Sequence, residues 1–230
     1  MSEHDVNRIM VRQNHSNDYI IRLAREISEP DDFADEFQLL AGVGPNDQIK
    51  LQIVSGGGSV NTCHMIIKAM QESEAKIIGW IGPTCASAAG AIALACDEWE
   101  VDEMSSLMVH TGSFSPGWGK SQDVVAAATH QDKMVTKFIR MTYTGFLTEA
   151  EILQVIDGKE FWFEGDELCE RLAKFADYRD KARAEMMANL QQQLSDVQKT
   201  VQQLTEAAPD KVEAAPVKPK KPVAKITPKA

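Results

Sequence analysis

The chain has few cysteines, and none of them stands in a metal-binding or disulfide pattern. Four cysteines occur singly among 230 residues, and no pair has CxxC spacing. Structural zinc sites and the disulfide frameworks of secreted proteins use paired or regularly spaced cysteines. The sequence therefore indicates neither kind of site. We expect buried free thiols at Cys63, Cys85, Cys96 and Cys169.

Long apolar runs and an excess of basic residues are also absent. No segment approaches the length that crosses a bilayer, and residues 1–5 lack the basic region and apolar core of a signal peptide. Aspartate and glutamate number 34 against 24 lysines and arginines, which gives a formal net charge of −10. Such an acidic chain is poorly suited to general nucleic-acid binding. We expect a cytoplasmic protein that has neither a membrane nor a nucleic acid as its partner.

Strand-length and helix-length segments alternate through the middle of the chain. Apolar or alternating runs at 49–54, 76–81 and 106–110 predict strands, and the runs at 65–70 and 123–143 predict helices. This alternation favours an α/β fold in which crossover helices join parallel strands. Functional residues collect at the carboxyl ends of such strands, so a site is expected in the turns that follow them.

A run of three glycines follows the first of these strands, in the sequence SGGGSV at 55–60. It matches neither the GxxxxGK[ST] nor the GxGxxG pattern of nucleotide-binding loops. Three interpretations remain open: a phosphate-binding loop, a turn whose backbone N–H groups point at a neighbouring site, or simply a tight turn. In each case Gly57 and Gly58 permit a close approach and unusual dihedral angles.

Ser87 lies in the turn after the next strand, within the sequence GPTCASAAGA at 82–91. The small residues that follow predict a helix, so Ser87 stands at a helix N-terminus, where free N–H groups and the dipole favour negative charge. A nucleophilic serine of acyl transfer needs this placement because an oxyanion develops beside it. A small residue suited to close helix packing is the alternative, and it stays open.

His110 and Asp157 are the candidates for the groups that would activate such a serine. Of the five histidines, only His110 ends a buried strand, so it is either a general base or a packed core residue. Asp157 follows an apolar pair and precedes Gly158. It is therefore either the carboxylate that orients His110 or an Asx-turn residue. Asp166, at a predicted helix start, is the fallback.

The two ends of the chain differ in character from its middle. Residues 1–17 are polar and aperiodic and predict a mobile arm, whereas 18–180 form the predicted domain. At 181–207 apolar residues recur at alternating spacings of three and four, which favours a short coiled coil between subunits over a helix that lies on the domain. The Pro- and Lys-rich stretch at 208–230 predicts a disordered, basic tail.

Four motifs occur in an order that resembles the ClpP family of self-compartmentalising serine proteases. They are SGGGSV at 55–60, ASAAG at 86–90, MVH at 108–110 and the Ile156–Asp157 pair, and the resemblance covers residues 18–178. It extends to phage-encoded members, some of which act in head maturation. It implies an α/β fold of the ClpP and crotonase kind, a superhelix of repeated ββα units.

The resemblance also implies the identity of the site residues. A catalytic triad of Ser87, His110 and Asp157 would cleave peptide bonds, with no metal and no organic cofactor. Backbone N–H groups of Gly57 or Gly58, and of Ala88, would receive the oxyanion. The family further implies homo-oligomeric rings of seven subunits, often two stacked rings, that act on protein or peptide substrates.

The chain departs from the bacterial housekeeping enzymes of that family at several motif positions. Gly56 and Ala88 stand where proline and methionine are frequent, and Thr111–Gly112 stand where Gln-Pro is frequent. These departures resemble the phage-type or signal-peptide-peptidase-like branch. They leave open whether the partner is an ATP-driven unfoldase or a capsid or scaffold protein. For a phage-encoded chain, the expected location is the host cytoplasm.

The sequence therefore predicts a serine endopeptidase that works through an acyl-enzyme on Ser87. One alternative is a crotonase-like acyl-CoA enzyme, since crotonases share the superfold and use a similar glycine-turn oxyanion hole. Thioester chemistry of that kind has no use for a serine–histidine pair. The other alternative is a non-catalytic assembly or scaffold protein that keeps the ring and the coiled coil.

Overall fold

In the computed structural model, which describes residues 16–115 and 117–207, six strands form one sheet. The strands are β1 (Asp18–Leu23), β2 (Gln48–Ser55), β3 (Lys76–Ala86), β4 (Glu98–Val101), β5 (Ser106–Val109) and β6 (Phe161–Glu164). Their order is β1-β2-β3-β5-β6, and β4 also pairs with β3. The pairs are parallel except β5 with β6, which is antiparallel. The α/β fold predicted from the alternation is confirmed.

Helices connect these strands. They are a 3₁₀ turn (Pro30–Phe33), α1 (Ala34–Gly42), α2 (Val60–Glu72), α3 (Ala88–Ala95), α4 (Ser121–Tyr143), α5 (Glu149–Ile156) and α6 (Gly165–Ala207). The chain divides into two compact units after Asp180, at a point within α6. Most of the predicted N-terminal arm, residues 1–15, and the predicted tail, 208–230, lie outside the described residues.

Alternation along β2 places one row of its side chains in the core. Ile49, Leu51 and Ile53 are buried, and Ser55 continues the same row as a buried polar residue. A period of two is what a strand with one buried face requires. Because β2 and β3 pair in parallel over 48–53, the turns that follow the two strands lie at the same edge of the sheet.

Small residues allow α3 to lie close to the sheet. Every residue at 88–94 is buried, and a Cβ added to Gly90 would stand 3.1 Å from the carbonyl oxygen of Met108 on β5. A larger side chain in this helix would push it away from β5. The packing role considered for this stretch is therefore real, and it does not exclude a chemical role for Ser87 at the start of the helix.

Three elements differ from the sequence expectation. We predicted that a strand ends at Ile81, but β3 continues to Ala86, because Cys85 pairs with Ser55 on one side and with Leu107 on the other. No strand was predicted at β4 or β6. Each has only four residues, which is too short for a reliable period-two pattern, and their pairing is decided by the neighbouring strands.

Side-chain caps fix the start of two helices. Ser59 accepts a hydrogen bond from the backbone N–H of Thr62 at the start of α2. Thr148 and Glu151 form a reciprocal capping box at the start of α5. Across the described ranges, no helix is both long and apolar enough to cross a membrane.

Candidate active site

Ser87 has a backbone conformation that sets it apart from the rest of the described chain. Its φ of 57° is the only positive value at a non-glycine residue in the ranges that the structure describes. It stands in the turn between β3 and α3 as the N-cap of the helix. A strained serine in a strand-to-helix turn is the geometry that exposes a nucleophile at the edge of a sheet.

Hydrogen bonds on both sides hold the Ser87 backbone in place. Its N–H donates to the carbonyl oxygen of Met108 on β5 at 2.9 Å, and its own carbonyl oxygen accepts the N–H of Ala91 in α3 at 3.2 Å. The strand on one side and the helix on the other therefore fix where the hydroxyl can lie. The conformation is maintained because the surrounding structure compensates for its strain.

His110 lies next to Ser87 because β5 lies next to β3. Ala86 pairs with Met108, so Ser87 and His110 follow directly after neighbouring parallel strands. His110 Nε2 is 2.8 Å from Ser87 Oγ. A hydroxyl that donates to Nε2 requires the neutral ring to carry its proton on Nδ1. The structure thus brings together two of the residues that the sequence singled out, in the arrangement of a nucleophile and its base.

The glycine turn after β2 packs directly against the serine turn. Gly57 has a φ of +96°, and a Cβ there would lie 2.7 Å from the carbonyl oxygen of Ala86 and 2.8 Å from Ser87 Cβ. The turn is tied down by Ile27, whose N–H donates to the Gly57 carbonyl at 2.9 Å and whose carbonyl accepts the Ser59 N–H at 2.6 Å. This contact favours a backbone donor role for the glycines over a phosphate-binding loop.

In the glycine and serine turns, two backbone N–H groups have no hydrogen-bond partner among the described residues, and a third has one. The N–H of Gly57 donates to Ser55 Oγ at 3.1 Å. The N–H groups of Gly58 and Ala88 make no hydrogen bond to any residue in the described part of the chain. Ala88 is the first residue of α3, where N–H groups have no partner within the helix and the dipole is positive. The unpaired N–H groups at this edge can therefore donate hydrogen bonds to a negatively charged oxygen.

A model of the Clp protease family matches residues 3–170, which is well over half of the chain. The chain belongs to the Clp protease family. No curated protein matches it. The Clp protease family consists of serine peptidases whose members generally form oligomeric rings and act on protein substrates. A serine hydroxyl beside an imidazole is the pair of groups that such chemistry uses.

Asp157, the predicted third member of the triad, forms no hydrogen bond with Ser87 or His110 in the described structure. It ends α5 as the C-cap, its backbone N–H donates to the carbonyl of Leu153 at 3.0 Å, and its side chain is exposed. Within the described ranges, its carboxylate forms no hydrogen bond with His110. The fallback, Asp166, lies exposed in the first turn of α6 and likewise forms no such bond.

Buried thiols near the site are not competing nucleophiles. Cys63 Sγ donates to the carbonyl oxygen of Ala88 at 3.3 Å, and burial raises the pKa of Cys63 to about 12. Burial also raises the pKa values of Cys85 and Cys96. A thiol that stays protonated at neutral pH is a poor nucleophile. The expectation of four buried thiols is wrong for Cys169, which is exposed on α6, because its position on that helix faces away from the core.

The sequence did not identify the role of Ser55. Its hydroxyl holds the Gly57 N–H, and the side chain is only 3% exposed. A signal was present, because the alternation of β2 continues through Ile53 to Ser55 and puts a polar residue in a buried row. Buried hydroxyls are hydrogen-bonded in native proteins. A buried serine at position 55 therefore indicated a hydrogen-bond partner in the turn that follows β2.

Proposed function

We propose that the chain is a serine endopeptidase that hydrolyses peptide bonds through an acyl-enzyme on Ser87. The observation that carries the proposal is the 2.8 Å separation between Ser87 Oγ and His110 Nε2. The unpaired N–H groups beside the serine support it, because acyl transfer needs donors where the oxyanion forms. The family supports the same class of reaction.

The proposed reaction proceeds in two steps. His110 Nε2 takes the proton of the Ser87 hydroxyl as Oγ attacks the peptide carbonyl carbon, and then gives that proton to the leaving amine. Water, deprotonated by the same nitrogen, next attacks the acyl carbon; the bond to Oγ breaks, Nε2 returns the proton to Ser87 Oγ, and the acid is released. In both steps the oxyanion accepts hydrogen bonds from the N–H groups of Gly58 and Ala88, each worth about 3–4 kcal/mol in the transition state. We assign this role to Gly58 rather than Gly57 because the N–H of Gly57 already donates to Ser55.

We propose that the chain acts as a homo-oligomeric ring, with heptamers and stacked heptamers as the expected sizes. Exposed apolar side chains on α4 support this: Val125 is 64%, Met134 49% and Met141 66% exposed. A helix that presents large apolar side chains to water usually contacts another subunit. Sedimentation of the full chain measures the size of the ring.

We propose that residues 181–207 form a coiled coil between subunits. Five exposed apolar residues of this segment are spaced alternately by three and four: Met187, Leu190, Leu194, Val197 and Val201. The residues that flank this stripe are uncharged, namely Gln191, Gln193, Gln198 and Thr200. Like charges therefore do not oppose the pairing of identical helices at these flanks.

The biological setting is proposed from the motif departures. The residues at 56, 88 and 111–112 favour a phage-type enzyme in the host cytoplasm, with head maturation as its role and capsid or scaffold proteins as its partners. Clp-type degradation fed by an ATP-driven unfoldase is the other setting.

If the C-terminal segment tethers the protease to assembling particles, a chain that lacks 181–230 will fail to enter them, whereas normal incorporation contradicts the tether.

A fluorophosphonate probe tests the proposed reaction. Wild-type protein is expected to label at Ser87, and Ser87→Ala is expected to lose the label. Mass spectrometry of the two proteins side by side also reports any self-processing. Absence of labelling in folded, assembled wild-type protein that binds coenzyme A contradicts the proposal and favours acyl-CoA chemistry. Wild-type behaviour of Ser87→Ala in every assay favours a non-catalytic assembly role.

A further inference from the structure

His110 has one ring nitrogen with a partner and one without. Nε2 lies 2.8 Å from Ser87 Oγ, and Nδ1 makes no hydrogen bond to any residue at 16–115 or 117–203. A base that acts through Nε2 must carry its other proton on Nδ1, and a carboxylate that accepts this proton fixes the tautomer and stabilises the imidazolium. The proposed function therefore requires a carboxylate on the Nδ1 side of the ring.

The pairing of β5 with β6 identifies the residue that stands across the sheet from His110. The strands are antiparallel, with Met108 opposite Trp162 and Val109 opposite Phe161. The ladder ends at this last pair, and the same register extended by one residue would set His110 opposite Glu160. Directly opposed residues of an antiparallel pair project from the same face, with Cα atoms about 4.5–5.5 Å apart. Histidine and glutamate side chains are together long enough to meet across that distance.

A neighbouring indole keeps the Glu160 side chain on this face. Trp162 Nε1 donates to Glu160 Oε1 at 3.3 Å, and residues two apart on a strand project from the same face. Met108 and His110 share the corresponding face on the β5 side by the same alternation. The indole engages one carboxylate oxygen, and Glu160 Oε2 forms no hydrogen bond with the described residues. One oxygen thus remains as an acceptor for the Nδ1–H of His110.

Asp157 has no comparable constraint on its position. It ends α5, and Gly158, with a φ of +100°, separates it from the approach to β6. Glu160 and Asp157 are both exposed, but no strand pairing relates Asp157 to His110, and its carboxylate has no hydrogen-bond partner in the described chain. Strand register therefore favours Glu160 over the aspartate that the sequence predicted.

We infer that Glu160, not Asp157, is the positioning residue that accepts the Nδ1–H of His110. The inference rests on the proposed function, since it assigns a role within the same Ser87–His110 pair. Glu160 stays ionised throughout the reaction. The proton moves from Ser87 Oγ to His110 Nε2 and then to the leaving amine, while the carboxylate holds the ring and stabilises its positive charge.

Saturation kinetics of fluorophosphonate labelling at Ser87 test the inference with the full chain. Glu160→Gln is expected to lower the maximal labelling rate by about 10²- to 10⁴-fold, the range typical for a lost base or its orienting carboxylate. The probe concentration at half-maximal rate should stay unchanged, because Glu160 does not touch the probe. Asp157→Asn is the matched variant, and it is expected to label at the wild-type rate.

Two further variants separate positioning from general damage to the fold. Glu160→Asp keeps the charge and is expected to recover part of the lost rate. In a His110→Ala background, Glu160→Gln is expected to change nothing further, because a group that acts through the imidazole has no role once the ring is removed. A structural defect would lower the rate in both backgrounds, and such a result overturns the inference.

The remaining outcomes distinguish the inference from the proposed function on which it rests. Wild-type labelling of Glu160→Gln overturns the role of Glu160 and leaves the Ser87–His110 reaction standing. If Asp157→Asn is then slow, the role returns to Asp157. Absence of Ser87-dependent labelling in the wild-type protein overturns the proposed function itself.

Discussion

Gly57 lies so close to Ser87 that a Cβ on the glycine would stand 2.8 Å from the Cβ of the serine. The two residues belong to turns that follow adjacent parallel strands, β2 and β3. The close approach puts the backbone of one turn beside the hydroxyl carried by the other. Neither turn forms the candidate site alone, because in the proposed reaction one would provide the nucleophile and the other an N–H for the charge that develops beside it.

Replacing Gly57 with alanine should damage both the turn and the reactivity of Ser87. The new methyl group would meet the carbonyl oxygen of Ala86 at 2.7 Å, and the φ of +96° is unfavourable for any side chain. Strain of this kind costs about 1–3 kcal/mol. We expect Gly57→Ala to lower the free energy of unfolding by that amount in urea titrations, and to slow fluorophosphonate labelling.

Gly56→Ala is the control for this change. A Cβ at Gly56 meets nothing within 4 Å, and Gly56 has no positive φ. This variant should retain wild-type stability and labelling. If Gly57→Ala also labels at the wild-type rate, the glycine turn contributes nothing to the site beyond changing the direction of the chain.

Ser55→Ala should destabilise the protein because it leaves a buried donor without an acceptor. The Gly57 N–H donates to Ser55 Oγ at 3.1 Å, and the serine is buried. An unsatisfied buried N–H costs about 1–3 kcal/mol. We expect the urea midpoint to fall accordingly, and labelling of Ser87 to slow as the Gly57 turn loosens.

Ser73→Ala offers a matched control with the opposite expectation. The Oγ of Ser73 is buried and has no hydrogen-bond partner in the described structure. Removing that hydroxyl takes away a polar group that is already unsatisfied, so stability should stay the same or increase. Equal losses of stability in Ser55→Ala and Ser73→Ala would show that the bond to Gly57 contributes nothing specific.

The local pattern around Ser87 predicted much of the candidate site. The alternation of β2, the apolar run of β3 and the short strand ending at His110 were all readable from residue type. Parallel strands then required that the turns after them lie together at one edge of the sheet. The closeness of Ser87 and His110 could therefore be expected before any coordinates, since it follows from the order of strands and turns.

Strand register could not be read from the sequence in the same way. β6 has only four residues and is antiparallel to its neighbour, whereas the alternation of strands and helices predicted parallel strands. Because β6 was not predicted, the sequence could not indicate that the extended strand register would set Glu160 opposite His110. Asp157 was therefore the carboxylate chosen to orient His110. The role of Ser55 depends on a hydrogen bond to the N–H of Gly57, two residues further along, and a strand pattern does not show which backbone group a buried hydroxyl meets.

Acid should weaken the folded state partly through Glu151. Two hydrogen bonds from Arg171, at 2.7 and 3.2 Å, lower the pKa of this carboxyl from 4.5 to about 2, with help from the Thr148 N–H. A folded-state pKa below the unfolded value gives stability that is present above about pH 5 and is lost as the pH falls toward 2. We expect stability, followed by urea titration at several pH values, to decline over this window.

Glu151→Gln tests the origin of that decline. Glutamine can still complete the capping box with Thr148, but it removes the titrating charge, so the decline between pH 5 and 2 should become shallower. Glu149→Gln is the control, because Glu149 pairs with Arg140 where both side chains are largely exposed and such pairs contribute little. Identical pH profiles for Glu151→Gln and wild type would contradict the assignment.

A charge within the apolar stripe of α6 should reduce self-association. Leu190 and Leu194 are 51% and 59% exposed, and burial of each leucine against a second copy would contribute about 1.5–3 kcal/mol. Replacing both with aspartate removes that burial and adds repulsion between like charges. We therefore expect the double variant Leu190→Asp, Leu194→Asp to sediment as a smaller assembly than wild type at the same concentration.

Asn189→Asp controls for the added charge, since Asn189 is exposed and lies outside the stripe. It should sediment like wild type, because a charge at that position does not face the partner helix. The double variant should also retain Ser87 labelling within each subunit, which separates loss of pairing from loss of the fold. Unchanged sedimentation of the double variant would mean that α6 contacts no second copy, and the stripe would then need a different partner.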